Sequence, residues 1–306
     1  MKKYFDSYAI SLPKAWGVSL GLFLLAALVL GGLFGVLTLV FPNLDIKEPP
    51  FDMLLYVLQF SLAFAYIYFD ARQGYRSRER SGQAQPGWGK AQFGRISLPL
   101  LILLIAVLPL SFNVITEPLT SWIPMPEFLR SLFESMLSNN WSSIITVVVL
   151  AALLEEWLLR GVVLKGLLLK GYSPAKAIIW SAVIFGAIHL NPWQAVAGFT
   201  LGCLFGWIYW RTRCLWLTIF LHALNNGTFC FMSYLYPDTG METSSIELWG
   251  WGTYGIMVLV ALTLCALILP YLHKNLAPGF QPGTPKADSP WDEYAAGNSP
   301  SPLSES

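Results

Sequence analysis

Two adjacent glutamates and an arginine interrupt a long apolar run between residues 144 and 164. These charged residues are Glu155, Glu156 and Arg160. A charge near the centre of a bilayer costs about 2.5–3.5 kcal/mol on insertion scales, so three such charges cost roughly 8–10 kcal/mol before any pairing. A chain that folds in a membrane must pair these groups or use them for chemistry, and an ionisable residue at such a depth indicates a functional site.

The composition of the chain predicts an integral membrane protein. Of its 306 residues, 55% are hydrophobic and 12% are charged, whereas a soluble protein averages about 25% charged residues. A spanning helix needs about 20 predominantly apolar residues. We therefore predict an all-α fold, a polytopic membrane helix bundle of about eight transmembrane helices. The approximate predicted spans are 16–41, 53–69, 96–115, 143–165, 174–191, 193–210, 214–235 and 249–272.

The basic residues predict the orientation of this bundle. With both termini in the cytoplasm, all of the 19 Lys and Arg residues except Lys47, Arg130 and Arg160 fall on the cytoplasmic side, as the positive-inside rule requires. The membrane-embedded bundle is predicted to cover residues 1–277, with its motif-bearing core at 143–235. Residues 278–306 are rich in Pro, Gly and Ser, and we predict a disordered cytoplasmic tail there.

Two other segments have open interpretations. The basic segment 70–95 is predicted to be a flexible loop, which either touches anionic lipid headgroups or acts only as a topology signal. Gly198, Gly202 and Gly206 recur at every fourth residue of the sixth predicted span. Such a stripe of small residues favours close packing of helices over the lining of a channel.

The polar residues of the later spans can be sorted by helix geometry. Glu156 and Arg160 are four residues apart with the acid first, which predicts a structural pair on one helix face. Glu155 is rotated by about 100° from Glu156, so we predict that it is a free carboxylate. With a rise of about 1.5 Å per residue, Glu155, His189 and His222 all lie about 14–20 Å from the predicted inner surface. These depths are compatible with one shared site.

The residue types of this constellation suit hydrolysis. A carboxylate beside imidazoles in a low-dielectric pocket can take a proton from water. An imidazole and an amide such as Asn226, four residues after His222, can stabilise an oxyanion. Alternatively, Glu155, His189 and His222 could hold Zn²⁺ with an open position for water. Either arrangement hydrolyses an amide bond, and the residues alone leave the reaction class open.

Three segments of the chain resemble the CPBP family of intramembrane proteases, also called the Abi or CAAX-protease family. The family pattern is E-E-x-x-x-R, then F-x-x-x-H, then H-x-x-x-N/D. The matching residues here are Glu155, Glu156 and Arg160, then Phe185 and His189, then His222 and Asn226. All three motifs match at full spacing, and the resemblance covers roughly residues 143–235.

The resemblance implies an intramembrane endopeptidase similar to the type II CAAX prenyl endopeptidases, on an eight-helix membrane fold. It implies that Glu155 is the catalytic base that activates water, assisted by His189. It also implies that His222 and Asn226 stabilise the oxyanion or complete a metal site. Glu156, Arg160 and Phe185 would hold the site in place. The family is labelled metalloprotease, but the chain has no H-E-x-x-H motif, so Zn²⁺ stays open, and no organic cofactor is expected.

The expected partners are a membrane protein or peptide substrate, with or without a lipid anchor, and the lipid bilayer; nucleic acid is not expected. A compact chain with few long loops favours the bacterial plasma membrane as its location. Two alternatives use the same residues. Intramembrane Glu and His also build the proton relays of transporters, although residues 1–142 and 143–272 show no internal repeat. A non-catalytic membrane scaffold or immunity protein is the other alternative.

Overall fold

The computed structural model describes residues 2–41, 51–121, 123, 126–127, 141–236 and 243–281. Within these ranges the chain is helical and contains no strand, which confirms the predicted all-α class. The main helices are α1 (Lys2–Asp6), α2 (Leu12–Val40), α3 (Phe51–Arg80), α4 (Leu98–Thr116), α5 (141–169), α6 (Pro174–Ile188), α7 (Pro192–Thr212), α8 (Leu215–Leu235) and α9 (Ser245–Asn275).

Four of these helices are long and apolar enough to cross a membrane. They cover Leu12–Val40, Met53–Arg80, Leu98–Leu119 and Ser245–Asn275. Helix α6 is apolar but has only 15 residues, and α5 and α8 carry the polar residues of the predicted site. The chain therefore has the helices of an integral membrane protein, whereas the count of eight spans and the cytoplasmic location of both termini stay predictions.

Helix α3 is longer than the sequence predicted. The predicted flexible loop began at residue 70, but the helix continues to Arg80 and has 30 residues. At about 1.5 Å per residue it measures roughly 45 Å, against about 30 Å for the hydrocarbon core of a bilayer. The expectation of a loop was wrong for residues 70–80, because their polar side chains are compatible with a helix. Residues 81–95 are not helical, as expected.

The glycines of α7 allow it to pack closely against α6. A Cβ atom on Gly202 would lie 3.0 Å from the Cα atom of Ala182, and one on Gly198 would lie 3.3 Å from the Cα atom of Gly186. The predicted packing role of the stripe is thereby confirmed. The two helices are joined by a tight turn, where the side chain of Asn191 accepts a hydrogen bond from the backbone N–H of Gln194 at 2.9 Å.

Aromatic side chains hold α3 against α5. The rings of Phe64 and Trp157 lie 4.9 Å apart, and those of Tyr56 and Phe60 lie 5.2 Å apart in the adjoining core. Tyr56 also lies on the side of α3 that contacts α5. At the other end of the chain, Phe280 is buried and its backbone carbonyl accepts a hydrogen bond from an indole N–H. Residues 282–306, most of the predicted tail, lie outside the described residues.

Candidate active site

A buried ion pair on α5 forms one side of the candidate site. Nη1 of Arg160 donates to Oε1 of Glu156 at 2.9 Å, and both side chains are fully buried. Nη2 of Arg160 donates to the backbone carbonyl of Gly202 at 3.0 Å. The guanidinium also lies over the rings of Phe185 and Phe205, at 4.9 and 5.6 Å. The predicted pairing of Glu156 with Arg160 is confirmed, and three helices converge on it.

His222 of α8 shares the same carboxylate oxygen. Its Nδ1 lies 3.1 Å from Oε1 of Glu156, and an N–H at Nδ1 donates a hydrogen bond to that oxygen. The imidazole is buried and contacts the ring of Phe185 at a centroid distance of 5.6 Å. Because Nδ1 is engaged in this way, the other ring nitrogen, Nε2, faces Glu155, with 3.9 Å between Nε2 and Oε2. The sequence did not predict the contact between His222 and Glu156.

Glu155 has a partner that the sequence analysis missed. The hydroxyl of Tyr56, on α3, donates to Oε1 of Glu155 at 2.7 Å. The second oxygen, Oε2, is buried and has no hydrogen-bond partner among the described residues. Glu155 is therefore free at one oxygen only, and Arg160 forms its ion pair with Glu156, as predicted. No signal in the sequence links Tyr56 to Glu155, because they lie on different predicted spans.

A chain of amides links Asn226 to α4 and α5. Nδ2 of Asn226 donates to the backbone carbonyl of Val147 at 2.8 Å. The side chain of Asn225 donates to Oδ1 of Asn226 at 3.2 Å and accepts from Nδ2 of Asn113 at 2.8 Å. One amide N–H of Asn226 is used by Val147, so the second N–H is still available as a donor. Asn113 of α4 is another residue that the sequence did not indicate.

His189 lies at the end of α6 and belongs to the site through Phe185. Its Nδ1 lies 2.8 Å from the backbone carbonyl oxygen of Phe185, which accepts a hydrogen bond from the tautomer that carries a proton on Nδ1. The Phe185 ring contacts both imidazoles, with centroid distances of 5.1 Å to His189 and 5.6 Å to His222. The structure therefore brings Glu155, Glu156 and His222 together directly, and connects His189 to them through an aromatic ring.

The predicted zinc ligands do not form a metal site in this arrangement. In the part of the chain that the structure describes, no group of three or more His, Cys, Asp and Glu side chains is placed to hold a metal ion. Catalytic zinc sites use three protein ligands. Glu155 and His222 face each other, but His189 is turned to the carbonyl of Phe185. The set of Glu155, His189 and His222 does not fit zinc in this arrangement.

The backbone of α5 is unusual on both sides of the two glutamates. The segments Ile145–Leu150 and Trp157–Leu164 have π-helical hydrogen bonding, whereas Ala151–Glu156 between them is α-helical. π-Helical turns within α-helices occur frequently at functional sites, where the wider turn changes the direction of the side chains. Glu155 and Glu156 thus lie at the end of a short regular segment between two widened ones.

Comparison with known proteins identifies the same region. The family model described as type II CAAX prenyl endopeptidase Rce1-like matches residues 137–228. No curated protein and no solved structure matches the chain. The matched segment contains the three motifs but neither Tyr56 nor Asn113, which reach the site from earlier helices. Residues 137–228 are thus similar to the Rce1-like type II CAAX prenyl endopeptidases, which supports the resemblance to the CPBP, or CAAX-protease, family that the three motifs indicate.

Proposed function

We propose that the protein is an intramembrane endopeptidase that cleaves a peptide bond with a water molecule activated by Glu155. The observation that carries this proposal is the geometry of Oε2 of Glu155. This oxygen is buried, lacks a hydrogen-bond partner among the described residues, and lies 3.9 Å from Nε2 of His222. Polar groups at this separation are commonly bridged by water. A water held there would contact both a base and an imidazole.

In the proposed mechanism, Glu155 transfers one proton in two steps, from the water to the leaving amine. The carboxylate takes a proton from the water as the water oxygen bonds to the carbonyl carbon of the substrate. The carbonyl oxygen becomes an oxyanion in a tetrahedral intermediate. Protonated Glu155 then gives its proton to the nitrogen of the leaving amine, and the carbon–nitrogen bond breaks. The products are a new carboxyl terminus and a new amino terminus.

We assign the stabilisation of the oxyanion to His222 and Asn226. A proton on Nε2 of His222 can be donated to the oxyanion, while Glu156 accepts from Nδ1 and balances the positive charge of the ring. The second amide N–H of Asn226 is the other donor that we assign. His189 has a supporting role in this proposal, because the Phe185 ring lies between it and His222 and contacts both imidazoles.

We propose a membrane-bound substrate with a lipid-modified carboxyl-terminal segment. The proposal rests on the family description, which names prenyl endopeptidases, and on the apolar helices that surround the site. Large apolar side chains are exposed on the outer surfaces of α2, α3 and α9, where a bilayer would cover them. A substrate that is itself anchored in the bilayer reaches such a site by lateral diffusion, whereas a soluble peptide must first partition into the membrane.

The proposal is tested with the full chain in lipid nanodiscs. We would incubate it in H₂¹⁸O with a prenylated CAAX peptide, the same peptide without the prenyl group, and an unrelated transmembrane peptide. The expected result, read by mass spectrometry, is cleavage of the prenylated peptide with one ¹⁸O atom in the new carboxyl group. Cleavage of none of the three peptides, together with proton flux into vesicles that is lost on Glu155→Gln, would favour a proton-coupled transporter instead.

We expect Tyr56→Phe to lower kcat for this hydrolysis by roughly 10- to 100-fold, with KM little changed. The hydroxyl holds Oε1 of Glu155 at 2.7 Å and so aims Oε2 at the water. A hydrogen bond to a charged group contributes about 1.5–3 kcal/mol, which corresponds to this range. Steady-state cleavage of the prenylated peptide gives both constants.

The matched control for Tyr56→Phe is Tyr66→Phe. Tyr66 lies on the same helix, is 48% exposed, and has no hydrogen bond among the described residues. The control variant should cleave at the wild-type rate. Equal losses of kcat in the two variants, or a loss confined to KM, would show that the hydroxyl of Tyr56 does not orient Glu155.

A further inference from the structure

Three arginines form a ladder along the last turns of α3. Arg72, Arg76 and Arg80 are spaced by four residues, so they lie on one face of the helix, about 6 Å apart along its axis. We call this set the arginine ladder. It lines an open groove together with Phe69, Gln73, Ser77 and Ser81.

No acidic side chain in the described part of the chain neutralises the arginine ladder. Asp70 is bound instead by Lys14 and by the hydroxyl of Tyr8. The exposed Glu79 is the nearest acid along the helix, but it forms no ion pair in the described ranges. Arg78 differs from the ladder, because its guanidinium donates to Gln85 and to the backbone carbonyl of Ser7. The ladder therefore presents three unneutralised positive charges on one face.

The depth of the arginine ladder is marked by the apolar residues that precede it. Phe69 is 63% exposed and lies one helical turn before Arg72. Leu62 and Tyr66, which precede Phe69 on the same helix, are also exposed. Exposed apolar and aromatic side chains of a spanning helix lie against the hydrocarbon and its border, and basic residues follow at the headgroup level. The first arginine of the ladder is thus placed where lipid phosphates lie.

We propose that the arginine ladder binds the headgroups of anionic phospholipids in the leaflet at this end of α3. Guanidinium groups form charge-assisted, bidentate hydrogen bonds with phosphate oxygens. Gln73 and Ser77 add neutral donors in the same groove, whereas the hydroxyl of Ser81 donates to the backbone carbonyl of Ser77. The position directly beside exposed apolar surface favours a lipid over an acidic peptide or a free anion, because a lipid places its phosphate and its acyl chains on the two sides of this border.

The test compares the full chain with two triple variants of equal charge. Arg72→Gln/Arg76→Gln/Arg80→Gln removes the ladder, and Arg95→Gln/Lys170→Gln/Lys274→Gln removes three exposed basic residues from other segments. Native mass spectrometry in neutral detergent would measure the binding of phosphatidylglycerol and phosphatidylcholine. The wild type should prefer phosphatidylglycerol. A basic residue near an anionic membrane surface changes affinity roughly fivefold, so the ladder variant should lose at least tenfold and the control much less.

Three outcomes would overturn the proposal: equal losses in both triple variants, no preference of the wild type for phosphatidylglycerol, or competition by inorganic phosphate at millimolar concentration. The last outcome would indicate a site for free anions. Arg72→Lys/Arg76→Lys/Arg80→Lys keeps the charges that orient the helix, and it should retain most of the binding. If the glutamine variant does not fold, the single variants Arg76→Gln and Arg95→Gln give the same comparison, with roughly fivefold and negligible losses expected.

Discussion

Replacing Glu155 by glutamine is expected to abolish peptide hydrolysis, with kcat lowered by about a thousandfold or more. General-base catalysis by a positioned side chain contributes roughly 10²–10⁴-fold, and an amide cannot take the proton of the attacking water. Glutamine has nearly the same size as glutamate, and its carbonyl oxygen can still accept from the hydroxyl of Tyr56, which lies 2.7 Å from Oε1. The fold should therefore survive while the chemistry is lost.

The adjacent glutamate gives the sharpest comparison for this experiment. Glu156 bonds to Arg160 and His222 in a fully buried position, so Glu156→Gln should lower thermal stability as well as activity. Glu155→Gln should melt at nearly the wild-type temperature. Single-turnover cleavage of the prenylated peptide and a thermal melt of each variant separate the two effects. Glu79→Gln, an exposed change outside the site, should alter neither.

The assignment of Glu155 as the base depends on the result of that comparison. A Glu155→Gln variant that still cleaves within tenfold of the wild type would contradict the proposed role. If Glu156→Gln alone lost activity at unchanged stability, the base would be Glu156. Its contacts with Arg160 and His222 would then have to open during the reaction.

The local parts of the site could be predicted from the sequence. Glu156 and Arg160 lie four residues apart on one helix, and a helix places such side chains next to each other whatever the rest of the fold does. The motif spacing also predicted the region that matches the Rce1-like family model. By contrast, the direct contact between Glu156 and His222 depends on how α5 and α8 cross, and residue spacing within either helix does not determine that crossing.

Tyr56 and Asn113 could not be predicted because they enter from helices without a motif. Exposed and interfacial tyrosines are common in membrane proteins, so residue type alone did not separate Tyr56 from Tyr66 on the same helix. The orientation of His189 was also inaccessible. At the end of α6 the imidazole lies against the carbonyl of Phe185, which turns the ring away from a three-ligand metal geometry.

The all-α fold followed from composition, but helix lengths and backbone detail did not. Helix α3 extends to Arg80 because the residues of its polar end are compatible with a helix. A hydropathy pattern shows only that these residues lie outside the hydrocarbon, and it does not show where the helix ends. The π-helical segments around the two glutamates leave no compositional pattern either, since a shift in hydrogen-bond register keeps the same apolar residues.

We expect Arg160→Met to lower the free energy of unfolding by about 3–5 kcal/mol. Breaking a buried ion pair on one side leaves the other charge buried and uncompensated. The variant would leave Glu156 with only His222 as a partner, and would also remove the hydrogen bond to the carbonyl of Gly202. Unfolding in mixed detergent micelles, followed by circular dichroism, measures the loss.

A double variant shows whether the charge of Glu156 causes this loss. Removing both charges of a buried pair is often nearly neutral, so Arg160→Met/Glu156→Gln should be more stable than Arg160→Met alone. Arg95→Met, an exposed change, should stay within about 0.5 kcal/mol of the wild type. If the double variant is as unstable as Arg160→Met, the loss comes from the missing bond to Gly202 and the ring contacts. Arg160 would then stabilise the packing of α7 against α5 rather than the charge of Glu156.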